Sequence, residues 1–318
     1  MSNNTTVSLK KAAEFLKSRD DFHIICHINP DGDAIGSAFA LSGMLSALGK
    51  KTRVVCGSEI PAQYEFITQR FAQECGEAKT VVSVDTASLG QWGNAWAQYG
   101  RCDLSVDHHV SHESFEGMLV LDPDAAATSV IMLRLARELG VELTADMADA
   151  IFLGITTDTG CFKYANANIG AHEAAIEAMR AGADTLGINR RMFETKSRSE
   201  MEIWRMIMDS IEYHAGGRIA VVTVTRAMRE KAGFFNDDLG ELASIPRQIE
   251  GVACGITIKQ QARCHYKISI RTNDGLSAQQ IAAQFGGGGH NAAAGCTIKA
   301  PLLRVKYELI KKVEELLG

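Results

Sequence analysis

The chain has 318 residues, 46% of them hydrophobic and 22% charged, with a formal net charge of −5 at pH 7. These are proportions of a soluble globular protein long enough for two domains. The acidic balance argues against wrapping long duplex nucleic acid on a broad basic surface, and leaves room for a short phosphorylated ligand.

The N-terminal stretch MSNNTTVSLKKAAEFLKSRDDF has no apolar core of the signal-peptide kind and reads as a first helix. No apolar run reaches membrane-spanning length, so a cytoplasmic location with no membrane contact is expected. The eight cysteines include no C-x-x-C pair, which argues against a zinc ribbon and for reduced, buried thiols. In chain order, strands are expected at 22–27, 52–56, 80–84, 102–106 and 117–121, with helices such as 34–48 and 128–139 among them. This alternation predicts an α/β domain with a doubly wound, mainly parallel sheet. Residues 144–157 follow helical spacing behind Thr144 as N-cap and read as a buried helix ending just before Asp158. Residues 185–215 are charged and Met-rich, as one or two connecting helices would be. Beyond them a smaller α+β domain is expected, with strands at 218–225, 254–260, 266–272 and 294–299 and helices near 237–245, 277–284 and 302–316. The domain boundaries so read are 1–190, a helical linker 191–215, and 216–318.

Chemistry-bearing residues gather where strands end. HINPDGDAIGS places His27, Asp31 and Asp33 in a turn between the strand FHIIC and a helix; Asp85 follows VVSV; Asp107, His108 and His109 follow LSV; Asp158 follows the buried helix in GITTDTG. A parallel sheet puts the carboxyl ends of its strands on one edge, so these groups can converge. Taken singly, each aspartate reads as a turn former or helix cap, and Asp33 as a cap of the helix 34–48. Five aspartates in one crevice would resist joint ionisation unless cations compensated them. Two divalent ions would remove most of that conflict. Carboxylates mixed with imidazoles suit Mn²⁺, with Mg²⁺, Co²⁺ and Fe²⁺ as alternatives, and two ions about 3.5–4 Å apart form the clamp used in phosphoryl hydrolysis. His23 and His112 read as structural or solvated.

In the second domain, Gly286, Gly287, Gly288 and Gly289 allow close backbone approach to a ligand, and successive N–H groups there could form an anion nest. Arg271 in YKISIRT offers a fork suited to phosphate. His290 and Asn291 follow the run and could contact phosphate, ribose or base.

These residues resemble the DHH phosphoesterases, whose name matches Asp107-His108-His109. HINPDGDAIGS is similar to the first family motif, SVDTAS to the second, VDHH to the third and TTDTGCF to the fourth; FGGGGHNAAAG resembles the glycine motif of the DHH-associated C-terminal domain. The subgroup it resembles is the NrnA type: small two-domain enzymes that degrade very short RNA and remove phosphate from 3′-phosphoadenosine 5′-phosphate (pAp). The resemblance implies one metal on His27, Asp31 and Asp85 and a second on Asp33, Asp85, His108 and Asp158, with Asp85 bridging. Asp107 and His109 are the implied catalytic residues: Asp107 supports the ligands from behind, and His109 faces the scissile phosphate. Cys161 and Lys163 stand where a small residue or an arginine is more usual. The expected activity is that of a two-metal phosphoesterase, a 3′–5′ oligoribonuclease or bisphosphate-nucleotidase-like hydrolase. Its partners would be short RNA oligonucleotides or small nucleotide phosphates, with a homodimer left open. The alternatives are a phosphodiesterase for cyclic dinucleotides or pApA, a pyrophosphatase or polyphosphatase, and a non-catalytic RNA-binding module.

Overall fold

The computed structural model describes residues 5–74, 76–113, 117–235, 240–273 and 275–318. The chain divides into two compact units, one ending at Thr195 and the other beginning at Lys196.

The strands of the first unit are β1 (Thr5–Thr6), β2 (Phe22–Cys26), β3 (Thr52–Cys56), β4 (Thr80–Val84), β5 (Leu104–Asp107) and β6 (Met118–Leu121). They form one sheet of order β1-β6-β5-β4-β2-β3, in which every pairing is parallel. Strands covered on both faces need no polar alternation, and β2 (FHIIC) and β4 (TVVSV) are buried at every position. Helices α1 (Leu9–Ser18), α2 (Gly32–Ala47), α3 (Glu65–Thr68), α4 (Asn94–Tyr99), α5 (Thr128–Leu139), α6 (Ala145–Asp158), α7 (Ile169–Arg180) and α8 (Thr185–Asn189) surround it. Side chains such as Ile24, Val82, Ile35, Ile131 and Ile151 make the larger core on one face. Ile25, Val81, Trp92, Ala95 and Cys102 make a smaller core on the other. Thr144 caps α6, its Oγ1 accepting from the Met147 amide at 3.3 Å; the helix runs one residue further than expected and includes Asp158.

The order in which strands are added reverses at β2, which has β3 on one side and β4 on the other. The crevice at such a switch point, outside the strand carboxyl ends, is where open α/β sheets bind ligands. The helices over it pack closely through glycines. A Cβ at Gly36 on α2 would strike the Ala150 carbonyl of α6, and one at Gly154 on α6 would strike Ser129 Oγ and Asp33 Oδ1. These contacts draw the start of α2, the start of α5 and the end of α6 to one place.

The second unit holds β7 (Glu212–His214), β8 (Ile219–Val224), β9 (Cys254–Ala262), β10 (His265–Thr272), β11 (Gly288–His290) and β12 (Ala293–Lys299), with α9 (Arg198–Asp209), α10 (Arg226–Ala232), α11 (Ala278–Ala283) and α12 (Leu302–Leu317). Its sheet order is β11-β12-β10-β9-β8-β7, mixed in direction because β8 and β9 alone pair in parallel. One face packs Ile256, Ile268 and Ile270 against α11 and α12. The other packs Val222 and Val224 against Ile203 and Ile207 of α9. The segment 191–215, read from sequence as a linker, is therefore divided. A π-helical turn, Arg190–Glu194, closes the first unit, and α9 belongs to the core of the second. The helix expected near 237–245 falls partly outside the described residues. Its described part, Gly240–Gln248, is a 3₁₀ stretch containing Pro246, which lacks the amide an α-helix would need there. Among the described residues no helix is long and apolar enough to cross a membrane.

Gly154→Ala tests the crossing of α2, α5 and α6. The added methyl has no free volume, so unfolding free energy should fall by about 1–3 kcal/mol, read as a lower urea midpoint. Gly76→Ala, where nothing lies within 4 Å among the described residues, is the reference. Equal midpoints for the two variants would contradict the packing described.

Candidate metal centre and basic pocket

The central strands deliver the polar groups to one edge. His27 follows β2; Asp31 caps α2, its Oδ1 accepting from the amides of Asp33 and Ala34 at 3.0 Å each. The cap is thus Asp31 and not Asp33, which corrects the reading of Asp33 as the capping residue. Asp33 is the second residue of α2, in its first turn, and is 1% exposed. Its Oδ2 accepts from the Thr128 amide at 2.6 Å, and its Oδ1 accepts from the Ser129 amide at 2.9 Å and from Ser129 Oγ at 2.5 Å. Ala127, the N-cap position of α5, offers no side-chain acceptor. The amides left unpaired at the start of α5 are satisfied by a carboxylate from another helix, at the end where the helix dipole favours negative charge.

Asp85 follows β4 with φ of 52°, a left-handed conformation that aspartate tolerates better than most residues. Its Oδ1 accepts from Thr128 Oγ1 at 2.9 Å. On one side its Oδ2 lies 3.8 Å from His27 Nε2, which is 3.7 Å from Asp31 Oδ1. On the other its Oδ1 lies 3.7 Å from His108 Nε2, which is 3.6 Å from Asp158 Oδ2. These separations are too long for hydrogen bonds. Two atoms each about 2.1 Å from a shared ion would stand this far apart at angles of about 120–130°, somewhat wider than tetrahedral. Ligand atoms of His27, Asp31 and Asp85, and those of Asp33, His108 and Asp158, each lie within 4.8 Å of one another.

The imidazole tautomers agree with this. His27 Nδ1 is 2.9 Å from the Ile28 carbonyl, and His108 Nδ1 is 3.1 Å from the Ala125 carbonyl. A carbonyl can only accept, so each Nδ1 carries the proton and each Nε2 presents a lone pair toward the carboxylates. His109 is different. Its Nδ1, 3.8 Å from Asp85 Oδ1, donates to Asp107 Oδ1 at 2.7 Å, so that nitrogen is already engaged.

Asp107 is fully buried. Its Oδ1 also accepts from the His108 and His109 amides at 2.8 and 3.3 Å, and its Oδ2 accepts from His112 Nδ1 at 2.6 Å. The two imidazoles hold its carboxyl well below the usual range against the opposing effect of burial. His112, read from sequence as structural or solvated, is the residue that sequence reasoning missed. Its side chain is 1% exposed and fixes the carboxylate that fixes His109. The only signal was its spacing after Asp107-His108-His109. Thr128 was missed too, having no sequence mark beyond its place at a helix start.

Burial, then the charges of Asp33, Asp31, Asp158 and Asp107, drives the Asp85 carboxyl well above its usual range. Burial, then Asp33 and Asp31, pushes Asp158 up to about 8. Ionising both at neutral pH calls for added positive charge. Divalent cations supply it, and the donor set of carboxylate oxygens and Nε2 atoms fits them. Cys161 and Phe162, beyond Asp158, take positive φ of 57° and 61°; Lys163 lies over the Phe193 ring, 5.8 Å from its centroid.

In the second unit a pocket of about 690 Å³ is lined by Arg271, Gly288, Gly289, His290, Lys259 and Lys267, among others. Gly286, Gly287 and Asn291 are not among the residues that line it. The amides of Gly286 and Gly287 donate to Ala283 and Ala282 carbonyls at 3.1 and 2.9 Å, closing the end of α11. The Asn291 carbonyl accepts from the Ala278 amide at 2.7 Å. The glycine run is a helix stop followed by the edge strand β11, and not an open nest; Gly287 is required because a Cβ would strike Gly295 and Cys296 of β12.

A model of the DHH family, N-terminal domain, matches residues 21–155, and a DHHA1 domain model matches residues 216–318. The bifunctional oligoribonuclease and PAP phosphatase NrnA of Thermus thermophilus is 31% identical over 314 residues, 95% of this chain and 92% of that protein. The protein of the same name from Bacillus subtilis is 24% identical over 277 residues, 86% of this chain and 87% of that one. Among solved structures, an exopolyphosphatase-related protein from Bacteroides fragilis superposes with a TM-score of 0.86 at 22% identity, covering 97% of both chains. Exonuclease RecJ bound to manganese superposes with a TM-score of 0.54 at 14% identity, covering 98% of this chain and 94% of that one. These two establish a shared fold. With the Thermus relative aligned over nearly its whole length and the first matched segment holding every group of the candidate metal centre except Asp158, the chain belongs to the DHH family.

Proposed function

We propose that the chain is a metal-dependent phosphohydrolase that degrades very short RNA and removes phosphate from pAp. The observation that carries this reading is Asp85, whose two oxygens face two separate sets of ligand atoms, each completed by an imidazole whose tautomer a backbone carbonyl sets. His27, Asp31 and Asp85 would hold one divalent ion; Asp33, Asp85, His108 and Asp158 would hold the other. Mn²⁺ suits this mixture of carboxylate and imidazole. Such a pair, when bound, neutralises charge on a phosphoryl group and lowers the pKa of water. The printed names of the Thermus and Bacillus relatives support the choice of substrates.

The chain's own residues do the rest. Asp107, clamped between His109 and His112, orients the His109 ring and raises its affinity for a proton. A protonated His109 donates to a phosphoryl oxygen through Nε2, where negative charge grows during the displacement. Thr128 Oγ1 holds Asp85 between the two ligand sets. In the second unit Arg271, Gly288, Gly289 and His290 line a basic pocket suited to a phosphate of the substrate.

Three outcomes test this. Chelation should abolish hydrolysis of pAp and dinucleotides, with Mn²⁺ restoring it best, and Asp85→Ala should be inactive with an unchanged circular-dichroism spectrum; normal turnover in either case would contradict the reading. A dinucleotide should be cut faster per end than a 25-mer of single-stranded RNA, since the acidic chain lacks the footprint to hold long strands. Arg271→Ala should keep its metals and lose roughly 10- to 150-fold in kcat/KM for pAp, the scale of a charge-assisted hydrogen bond. Bis-p-nitrophenyl phosphate, with no distal end to grip, should be hydrolysed nearly as before.

A further inference from the structure

One short segment, residues 125–129, supports every group of the second ligand set. Thr128 and Ser129 donate to Asp33, and Thr128 Oγ1 donates to Asp85. The Ala125 carbonyl takes the Nδ1 proton of His108. Asp158 is tied to the same segment by a residue farther along the chain. Asn166 Nδ2 donates to the Ala126 carbonyl at 3.0 Å and to the Asp158 carbonyl at 3.1 Å. Both partners are carbonyls and can only accept, so the amide nitrogen faces them and both of its hydrogens are used. His27 and Asp31 of the first set are held elsewhere, by the Ile28 carbonyl and by the first amides of α2.

The chain reaches this double bond by an unfavourable route. Gly160, Cys161 and Phe162 have φ of 56°, 57° and 61°, three left-handed residues in succession, two of them with side chains that resist the conformation. Thr159 holds the turn. Its carbonyl accepts from the Lys163 and Tyr164 amides at 3.0 Å each, and its Oγ1 accepts from the Phe162 amide at 3.1 Å. The Phe162 ring stacks on His172 of α7 with centroids 4.9 Å apart. The turn returns Asn166, eight residues past Asp158, to the end of α6. Strain of this kind persists where the surroundings over-determine it, as they do at functional sites. We infer that Asn166 is a positioning residue for the second metal ion. It fixes the backbone of Asp158 against the segment that orients His108 and holds Asp33 and Asp85, so that the four groups keep one spacing. This rests on the two ligand sets proposed above and deepens that reading.

The test is equilibrium binding of Mn²⁺ by the full chain without nucleotide, with electron paramagnetic resonance counting the free ion. The wild type should take up two ions. His27→Ala and His108→Ala identify which binding step belongs to which ligand set. Asn166→Ala should weaken the His108-dependent step by roughly 10- to 100-fold, the range for residues that orient metal ligands. The His27-dependent step should stay as in the wild type. Asn166→Leu, which keeps the size and removes the donors, should behave alike, and it carries the test should Asn166→Ala melt early in chelating buffer. Excess Mn²⁺ should return hydrolysis of pAp by either variant toward the wild-type kcat. Unchanged binding of both ions, equal weakening of both steps, or uptake of fewer than two ions by the wild type would each overturn the inference. If the variants lose the second ion selectively while the metal-loaded wild type hydrolyses neither pAp nor a dinucleotide, the proposed activity fails and the positioning role stands. If the wild type binds two ions and hydrolyses both compounds while the variants bind as it does, the positioning role alone fails.

Discussion

The structure of the first unit depends on bringing carboxylates together where electrostatics opposes it. Asp33, Asp85 and Asp107 are each at most 2% exposed, with Asp31 and Asp158 beside them. Removing such groups from water costs several kcal/mol each unless hydrogen bonds or countercharge replace hydration. The chain answers differently at each. Asp33 takes two amides and a hydroxyl from the start of α5. Asp107 takes two imidazoles and two amides. Asp85 has one hydroxyl donor and otherwise faces imidazoles at distances too long for hydrogen bonds, so its compensation has to come from bound cations.

Much of the local packing follows from that requirement. The small residues Gly36 and Gly154 let α2, α5 and α6 approach until Asp33 reaches the α5 amides and Asp158 reaches His108. The left-handed backbone at Asp85 turns its carboxylate across the sheet edge between β2 and β5. Backbone strain and unusual burial persist where the surroundings over-determine them, which is the common condition of functional sites.

The second unit solves a simpler problem. Its sheet is apolar on the face that packs α11 and α12, and β10 turns lysine, serine and arginine the other way. Antiparallel strands such as β9, β10 and β12 can leave part of one face polar in this manner. The glycine-rich segment serves the tight packing of β11 on β12.

The period of the apolar residues and the placement of the acids were legible in the sequence. Continuous runs such as FHIIC and TVVSV fit strands covered on both faces, and all strands of a parallel sheet end on the same edge, so acids after each run can meet. Thr144 marked the start of α6 for an equally local reason, a hydroxyl able to accept a free amide. What the sequence could not decide was how each group would be used. Asp31 and Asp33 are equivalent as capping residues until α5 arrives to claim one of them. His112 is an ordinary histidine until a turn brings it to the far oxygen of Asp107. The glycines at 286 and 287 read as open loop until α11 takes their amides. Periodicity and strand polarity are properties of a segment, whereas a hydrogen-bond partner is chosen only when two segments meet.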